Sequence, residues 1–328
     1  MTATVLEIRG LRTSFPMRHG SLMAVRGVDL ALHQGEVLGL IGESGSGKTM
    51  TGLSILRLLP PSAVTESELL QFRGQDVRGM SDAAFRALRG VHLAMVFQNP
   101  PGAFNPAKSI AWHFAAIFRR RASRSDAAPG RAAVTDWRAA AETLLAEVGI
   151  AQPSRLLRLY PHQLSGGMLQ RVLIGMVLAL EPEVIIADEP TTNLDNIVER
   201  QILALFRRLQ RKVGAAIIFI THDMAITAAL CDRIAVMYAG EVVESGPTGD
   251  VLTTPLHPYT QGLIETATAL SRGGRLREIP GELPGPTLRA TSCLFAPRCP
   301  HVREACRAAH PAMSQPVPSR QVRCILHA

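Results

Sequence analysis

The octapeptide G-E-S-G-S-G-K-T at Gly42–Thr49 constrains this chain more than any other feature of its sequence. It matches the phosphate-binding pattern G-x-x-x-x-G-K-[ST], and the apolar run Glu36–Ile41 leads directly into it. Glycines let such a loop curl, so that successive backbone N–H groups point at phosphate oxygens near the start of a helix. We therefore predict a strand, a phosphate loop and a helix that together bind a nucleoside triphosphate. A plain glycine-rich turn is the alternative.

Two side chains of this loop carry the chemistry that the pattern predicts. Lys48 is expected to reach the β and γ phosphates, and the Thr49 hydroxyl is expected to bind Mg²⁺. The predicted ligand is therefore a nucleoside triphosphate with its magnesium ion.

The length and composition leave room for one large α/β domain with an appendage, or for two modest domains, because the chain has 328 residues. Its formal net charge of +8 suits nucleic acid or an anionic membrane surface, but the run Arg119–Arg121 is most often a solvated helix face. Apolar stretches such as Val172–Leu180 fall short of the roughly 20 residues that cross a bilayer, and the N-terminus does not resemble a secretion signal. A soluble, cytosolic chain is expected.

Polar residues follow two apolar runs that are typical of buried parallel strands. Asp188 and Glu189 come directly after Val184–Ala187, at the strand end where α/β sheets bind ligands. Asp188 is expected to hold Mg²⁺ directly or through water, and Glu189 to polarise the attacking water. His222 follows the second run and is predicted to contact the γ-phosphate, the alternative being a surface histidine.

The segment Leu164–Arg171, L-S-G-G-M-L-Q-R, predicts a small-residue turn that opens a long apolar helix. The N–H groups of such a turn form a second anion site. One phosphate loop does not need a second site in its own chain. A head-to-tail dimer does need it, since each chain then offers this turn to the nucleotide held by its neighbour.

Together these motifs resemble those of the ATP-binding subunits of ABC transporters, whose signature is L-S-G-G-Q. The resemblance implies a P-loop NTPase of ABC type in the α/β class. Its central sheet is mostly parallel, with an antiparallel N-terminal β-subdomain, a helical insert and an irregular cysteine-bearing C-terminal extension. It places the ATPase domain at residues 1–260, the helical insert at about 98–165 and the extension at 261–328.

The same resemblance assigns roles to individual positions. It implies a Q-loop at Gln98, a catalytic glutamate at Glu189, a switch histidine at His222 and a D-loop at Thr192–Asp195, in which Asn193 replaces the commoner alanine. The residues implied to be catalytic are Lys48, Glu189 and His222, and those implied to bind Mg²⁺ are Thr49, Gln98 and Asp188. The residues implied to bind ATP are Phe15, Gly42, Ser44, Gly45, Ser46, Gly47, Lys48, Thr49, Met50, Gln98, Leu164, Ser165, Gly166, Gly167, Met168, Asp188 and Asp195.

The resemblance to the family is less direct at two of these positions, Phe15 and Met168. Phe15 matches the aromatic that stacks on adenine, although a lone aromatic could equally be a core residue. Met168 stands where the family usually has glutamine, and activity is expected to survive this change.

Other segments are similar to one branch of the family. His257–Gln261 and Cys293–Pro300 resemble the ATPases of bacterial oligopeptide and dipeptide importers, which makes peptide import the expected function. Met168–Arg171 and Ala103–Pro106 also resemble nickel and metallophore importer ATPases, so metal-chelate import is the alternative. An ABC ATPase that works on DNA or ribosomes is a third hypothesis. It is disfavoured because neither a second cassette nor a long coiled-coil insertion is present.

Four of the five cysteines, Cys293, Cys299, Cys306 and Cys324, crowd the end of the sequence with the spacing C-x5-C-x6-C-x17-C. In a reducing cytosol such a cluster more often binds metal than forms disulfides. Zinc sites usually pair cysteines two to four residues apart, so the spacing favours an iron–sulfur cluster, and the family resemblance points to 4Fe–4S as well. Zinc and unligated thiols remain the alternatives. The expected role is structural, with redox sensing as a further hypothesis.

The resemblance also implies an assembly. The chain is expected at the cytoplasmic face of the inner membrane, as a peripheral subunit that does not bind nucleic acid. Its expected partners are a second ATPase subunit that is a paralogue, two membrane permeases and an extracytoplasmic solute-binding protein. Two ATP molecules held between the ATPase subunits would drive closure, and hydrolysis would reopen the pair.

Overall fold

The computed structural model describes residues 3–18, 20–122, 134–192, 194–271, 279–285 and 290–327. The strands, in chain order, are β1 (Thr4–Pro16), β2 (Ser21–His33), β3 (Val37–Ile41), β4 (Val64–Glu66), β5 (Leu69–Phe72), β6 (Gln75–Asp76), β7 (Leu93–Val96), β8 (Val184–Asp188), β9 (Ala216–Thr221), β10 (Arg233–Tyr238), β11 (Glu241–Pro247), β12 (Ser314–Val317) and β13 (Arg320–Val322). The α-helices are α1 (Lys48–Ile55), α2 (Asp82–Leu88), α3 (Ile110–Ala122), α4 (Trp137–Glu147), α5 (Pro153–Leu156), α6 (Gly166–Leu180), α7 (Asn196–Val213), α8 (Met224–Leu230), α9 (Thr248–Thr253), α10 (Pro258–Ser271) and α11 (Glu304–Ala308).

The chain divides into two compact units. The first contains residues 1–79 and 218–328, the second contains residues 80–217, and the division falls within β9. The first unit begins with an antiparallel sheet of order β2-β1-β5-β6, in which β4 also pairs with β1. Its long β1–β2 hairpin places Ile8 opposite Leu30, and both side chains are buried. This hairpin sheet agrees with the antiparallel N-terminal subdomain expected from the sequence.

The first unit also contains the strand that leads into the phosphate loop. Strand β3 pairs in parallel with β10, and β10 pairs antiparallel with β11. All five residues of β3 are buried, as the uninterrupted apolar run predicts for a strand covered on both faces. The phosphate loop therefore begins directly after a fully buried strand.

The C-terminal extension has more regular structure than its sequence predicts. Strands β12 and β13 form a hairpin, and β13 adds to the edge of β11 with Val322 opposite Glu244. Arg320 reaches the buried Glu244 carboxylate at 2.5 Å and holds this edge in place. Pro316 and Pro318 obscure the pattern in the sequence, but a sheet edge tolerates proline because the missing N–H is not needed there.

The second unit is built around α6. Nearly every residue of α6 from Leu169 to Leu180 is buried, and helices α3 and α4 pack against it. Strands β7 and β8 pair in parallel in the same unit, with Met95 opposite Ile186. Helices α3, α4 and α5 lie within the range predicted for the helical insert. Apolar periodicity therefore identified the insert correctly as helical.

Among the described residues, no helix combines the length and the apolar character that a membrane span requires.

A buried histidine lies beside the sheet of the first unit. The His257 ring is 2% exposed, and its Nδ1 accepts a hydrogen bond from the Tyr259 N–H at 3.0 Å. The His257 N–H donates to Glu244 at 2.9 Å. Burial, with a smaller contribution from the nearby His327, lowers the pKa of His257 to about 3. The ring is therefore neutral in the folded protein at any pH near neutrality.

This burial predicts sensitivity to acid. In the unfolded chain the same histidine binds a proton below about pH 6.5, whereas the folded protein resists protonation until about pH 3. The folded-state pKa is lowered, so the free energy of unfolding should fall as pH drops from 6.5 towards 3, by about 1.4 kcal/mol per pH unit. The variant His257→Asn keeps a hydrogen-bond acceptor but does not titrate. Urea unfolding at pH 7 and pH 5 should show a stability loss about 2 kcal/mol smaller in the variant than in the wild type. Equal losses would show that His257 does not cause the acid sensitivity.

Candidate nucleotide-binding site

The phosphate loop has a backbone conformation that only glycine accommodates at two positions. Gly42 and Gly47 have φ angles of 152° and 102°. A Cβ on Gly42 would overlap the Met237 carbonyl oxygen, and a Cβ on Gly47 would lie 2.6 Å from the Ala24 carbonyl oxygen. The loop is therefore pressed against the backbone of its own unit, and its curled form follows from the glycines identified in the sequence.

The loop lysine lies over its own loop. Lys48 is only 6% exposed, and its ammonium donates to the carbonyl oxygens of Gly42 and Glu43 at 2.8 and 2.9 Å. A third contact joins Nζ to the Ser46 hydroxyl at 3.4 Å. These acceptors hold the positive charge at the loop, where an incoming phosphate can compete for it. The contact of Lys48 with phosphate stays a prediction.

The rest of the predicted loop residues differ in accessibility. Ser44 and Gly45 are exposed, whereas the Ser46 side chain is buried and Thr49 and Met50 are half-buried at the start of α1. An anion can therefore approach the loop from the side of its second and third variable positions.

Two other predicted residues of the first unit lie at strand ends. Phe15 is half-buried near the end of β1, opposite Leu22. Phe15 is therefore not fully enclosed in the core. His222 is exposed and directly follows β9, which neighbours β3 in the sheet order.

In the second unit, the structure brings together two predicted residues that lie 91 positions apart. The Gln98 amide donates to the Glu189 carboxylate at 3.0 Å, and the Thr192 hydroxyl donates to the same oxygen at 3.0 Å. Asp188 directly precedes Glu189 at the end of β8 and is 2% exposed. The two donors fix the rotamer of Glu189.

The backbone of Glu189 is also unusual. Its φ of 43° lies in the left-handed region, which typically costs a residue with a Cβ of the order of 1–3 kcal/mol. Such a conformation is retained when the surrounding structure imposes it, and it often marks a functional position.

The signature turn starts α6 as predicted. The Ser165 hydroxyl accepts a hydrogen bond from the Met168 N–H at 3.3 Å and so caps the helix, while Ser165 and Gly166 remain exposed. Leu164, Gly167 and Met168 are half-buried. A 15-residue helix therefore presents its N-terminus, with its partial positive charge, at the surface.

Sequence reasoning missed a buried polar contact beneath this turn. The Gln170 amide, 3% exposed, donates to the Pro190 carbonyl oxygen at 3.0 Å and so links α6 to the residue after Glu189. The available signal was a glutamine within the apolar stretch that follows the signature, a position where burial requires a partner.

The predicted D-loop is described only in part, since Asn193 lies outside the described residues. Asp195 caps α7 by accepting hydrogen bonds from the N–H groups of Ile197 and Val198 at 3.1 and 3.0 Å. Arg171 lies 3.9 Å from the Asp195 carboxylate. In this structure Asp195 therefore acts as a helix cap, and its predicted contact with ATP stays a prediction.

The four clustered cysteines meet in the first unit but do not form a metal site as they stand. Cys293, Cys299, Cys306 and Cys324 carry free thiols and line one small cavity. Burial raises the pKa of Cys293 to about 11 and also raises those of Cys299 and Cys324, so these thiols are protonated at neutral pH. Within the described ranges, no group of three or more His, Cys, Asp or Glu residues is arranged to hold a metal ion.

The expected 4Fe–4S or zinc site is therefore not confirmed. The physical reason is that burial keeps these thiols protonated, whereas a metal binds thiolates. Sequence spacing identified which cysteines gather, but it did not determine their geometry.

Comparisons with known proteins agree with the motifs. Residues 25–192 match the ABC transporter family, and residues 243–306 match the family described as oligopeptide/dipeptide transporter, C-terminal region. The chain is 39% identical to the dipeptide transport ATP-binding protein DppD of Bacillus subtilis (strain 168), over 98% of this chain and 94% of the relative. It is 38% identical to DppD of Escherichia coli (strain K12), over 98% of this chain and 96% of the relative.

Solved structures support the same fold. The dimeric structure of MJ0796, a bacterial ABC transporter cassette, superposes with a TM-score of 0.64 at 26% identity, covering 74% of this chain and 98% of that one. The P-loop fold of ABC type expected from the sequence is thereby confirmed. With matches of this extent, the chain belongs to the family of ABC transporter ATP-binding proteins.

Proposed function

We propose that this chain is the ATP-hydrolysing subunit of a bacterial ABC importer for oligopeptides or dipeptides. The observation that carries the substrate class is the match of residues 243–306 to the C-terminal region of oligopeptide/dipeptide transporters, together with relatives named as dipeptide transport proteins. The phosphate loop with its buried lysine supports the ATPase activity.

In the proposed reaction, this chain's residues bind and orient the nucleotide and the attacking water. Loop N–H groups and Lys48 bind the phosphates, and Phe15 stacks on the adenine. Thr49, Gln98 and Asp188 would hold Mg²⁺ through oxygen donors of the kind it prefers, and the ion when bound would supply positive charge beside the phosphates. The Ser165 turn serves the nucleotide held by a second ATPase subunit, through its exposed helix N-terminus.

Glu189 is the proposed general base. Its carboxylate accepts hydrogen bonds from Gln98 and Thr192 at one oxygen, and these two contacts orient the side chain. The carboxylate polarises a water molecule and accepts its proton as the water oxygen attacks the γ-phosphorus. The bond between the γ-phosphorus and the bridging oxygen of ADP breaks, and phosphate leaves. His222 is the proposed contact that steadies the γ-phosphate during transfer.

The proposed assembly contains a second, paralogous ATPase subunit, two permeases and an extracytoplasmic binding protein. The chain is a peripheral subunit at the cytoplasmic face of the membrane. The region from Gln98 to Asn105 receives a short helix of a permease, and nucleotide-driven closure of the ATPase pair moves the permeases.

The proposed base predicts a clear split between binding and turnover. Glu189→Gln keeps the size and hydrogen bonding of the side chain but removes its basicity, so ATP hydrolysis by the assembled importer should fall by roughly 10²–10⁴-fold. The Kd for ATP should change little, because the carboxylate acts on water. ATPase assays and nucleotide titrations measure the two quantities. The matched variant Glu142→Gln, on α4, should hydrolyse ATP at the wild-type rate. Normal turnover by Glu189→Gln would remove Glu189 as the base.

We also propose that Cys293, Cys299, Cys306 and Cys324 hold a structural 4Fe–4S cluster. The shared cavity and the all-cysteine donor set support this, since thiolates are the usual ligands of such clusters. The cluster would fasten the extension, and no step of ATP hydrolysis runs through it.

Anaerobic purification tests the cluster directly. The wild-type protein should contain about four iron and four sulfide per chain, and Cys306→Ser should lose both together with thermal stability. Cys231→Ser provides the control, because Cys231 does not line the cavity, and it should keep its iron. Zinc in place of iron, or a wild-type protein without either metal, would contradict the proposal.

A further inference from the structure

The C-terminal extension reaches the phosphate loop through one buried arginine. Arg298 ends a short 3₁₀ turn, Ala296–Arg298, and its side chain is 5% exposed. Its two terminal nitrogens donate to the two carboxylate oxygens of Glu43 at 2.8 and 3.0 Å. It also donates to the carbonyl oxygens of Pro280 and Ile279, at 3.1 and 2.9 Å, and lies 5.7 Å from the centroid of the Tyr238 ring. The guanidinium is therefore fixed on several sides and makes a bidentate pair with the loop.

Glu43 is the second residue of the phosphate loop. Its carbonyl oxygen accepts from the Lys48 ammonium at 2.9 Å, and its N–H donates to the Tyr259 hydroxyl at 2.8 Å. Main chain and side chain of one loop residue are thus held by Tyr259 and Arg298. The loop conformation depends on residues more than 200 positions away along the chain.

An aromatic cluster seats the arginine. Phe295, three residues before Arg298, has its ring centroid 5.2 Å from that of Tyr238, 5.5 Å from that of Tyr259 and 5.6 Å from that of His257. Tyr238 and Tyr259 are almost fully buried. Arg298 therefore extends from a tightly packed part of the C-terminal extension. This packing keeps its guanidinium beside Glu43.

The negative charge of the Glu43 carboxylate repels the anionic phosphates that the loop is proposed to bind. A carboxylate within a loop that receives a highly anionic triphosphate raises the electrostatic cost of binding, unless a cation cancels it. Arginine is suited to this because it stays charged at every physiological pH and pairs with a carboxylate in two parallel hydrogen bonds. Arg298 is the side chain that forms such a pair with Glu43 in the structure.

We propose that Arg298 is a positioning residue for nucleotide binding: it cancels the charge of Glu43 and fastens the phosphate loop to the C-terminal extension. The affinity of the loop for nucleotide then depends on the docked extension. The inference rests on the proposed function in that the loop binds ATP. It adds that a residue outside the ATPase motifs controls the affinity.

Nucleotide titrations on four full-length proteins test this: the wild type, Arg298→Gln, Glu43→Gln and the double variant. Arg298→Gln leaves the Glu43 carboxylate unpaired, so the Kd for ATP should rise about three- to tenfold. The rise should be smaller for ADP and smallest for AMP, because the repulsion follows the charge of the phosphates. Glu43→Gln should bind ATP at least as tightly as the wild type, and the double variant should recover most of the affinity lost by Arg298→Gln.

A loss of packing would give a different pattern. It would affect the three nucleotides equally, and the double variant would bind no better than Arg298→Gln. That outcome would overturn the proposal. Arg323→Gln is the matched control, since Arg323 also holds the extension, through the carbonyl oxygens of Val242 and Pro311, without contacting the loop. It should lower the thermal midpoint while leaving the Kd for ATP unchanged.

Should Arg298→Gln fail to fold, Arg298→Lys keeps the charge but loses the bidentate geometry and should show a smaller rise in the Kd for ATP. Unchanged affinity in both arginine variants would contradict the proposal. A wild-type protein that binds no ATP would instead contradict the proposed function itself.

Discussion

The close contact between the phosphate loop and neighbouring backbone is the constraint on which the nucleotide site depends. Gly42 and Gly47 lie so near the carbonyl oxygens of Met237 and Ala24 that no side chain fits at either position. This contact sets the curl of the loop, and the curl places two loop carbonyl oxygens where the Lys48 ammonium binds them. The buried strand β3 leads into the loop, and α1 begins at Lys48. Phosphate binding is thus prepared by packing before any ligand arrives.

Local features of this protein could be predicted from its sequence because they depend on neighbouring residues. The glycine loop, the strand that ends at Asp188 and the cap that Ser165 makes for α6 all follow from short patterns. The contacts between distant residues could not be predicted in the same way. The hydrogen bond from Gln98 to Glu189 depends on how the intervening helices fold, and no periodicity or motif specifies it. The branch of the family was recognisable from motifs, but motifs do not give side-chain geometry.

The C-terminal extension shows this limit most clearly. Its prolines and weak apolar periodicity predict an irregular tail, yet β13 extends a sheet and Phe295 packs into an aromatic cluster. The cysteine spacing identified a group that does line one cavity, but burial favours the neutral thiols, and they are not arranged for a metal. The arginine at position 298 carried no motif, and only the structure connects it to the phosphate loop. The extension therefore packs as part of the same unit as the phosphate loop.

The central claim is that ATP binds between the Lys48 loop of one ATPase subunit and the Ser165 turn of another. Substituting Ser165 with arginine tests it most directly, because the bulky side chain blocks the exposed turn and leaves this chain's own loop unaltered. The isolated variant should bind ATP with the wild-type Kd, while the assembled importer hydrolyses ATP about tenfold more slowly or worse. An isolated Ser165→Arg chain that no longer binds ATP, or an importer with undiminished turnover, would contradict the claim.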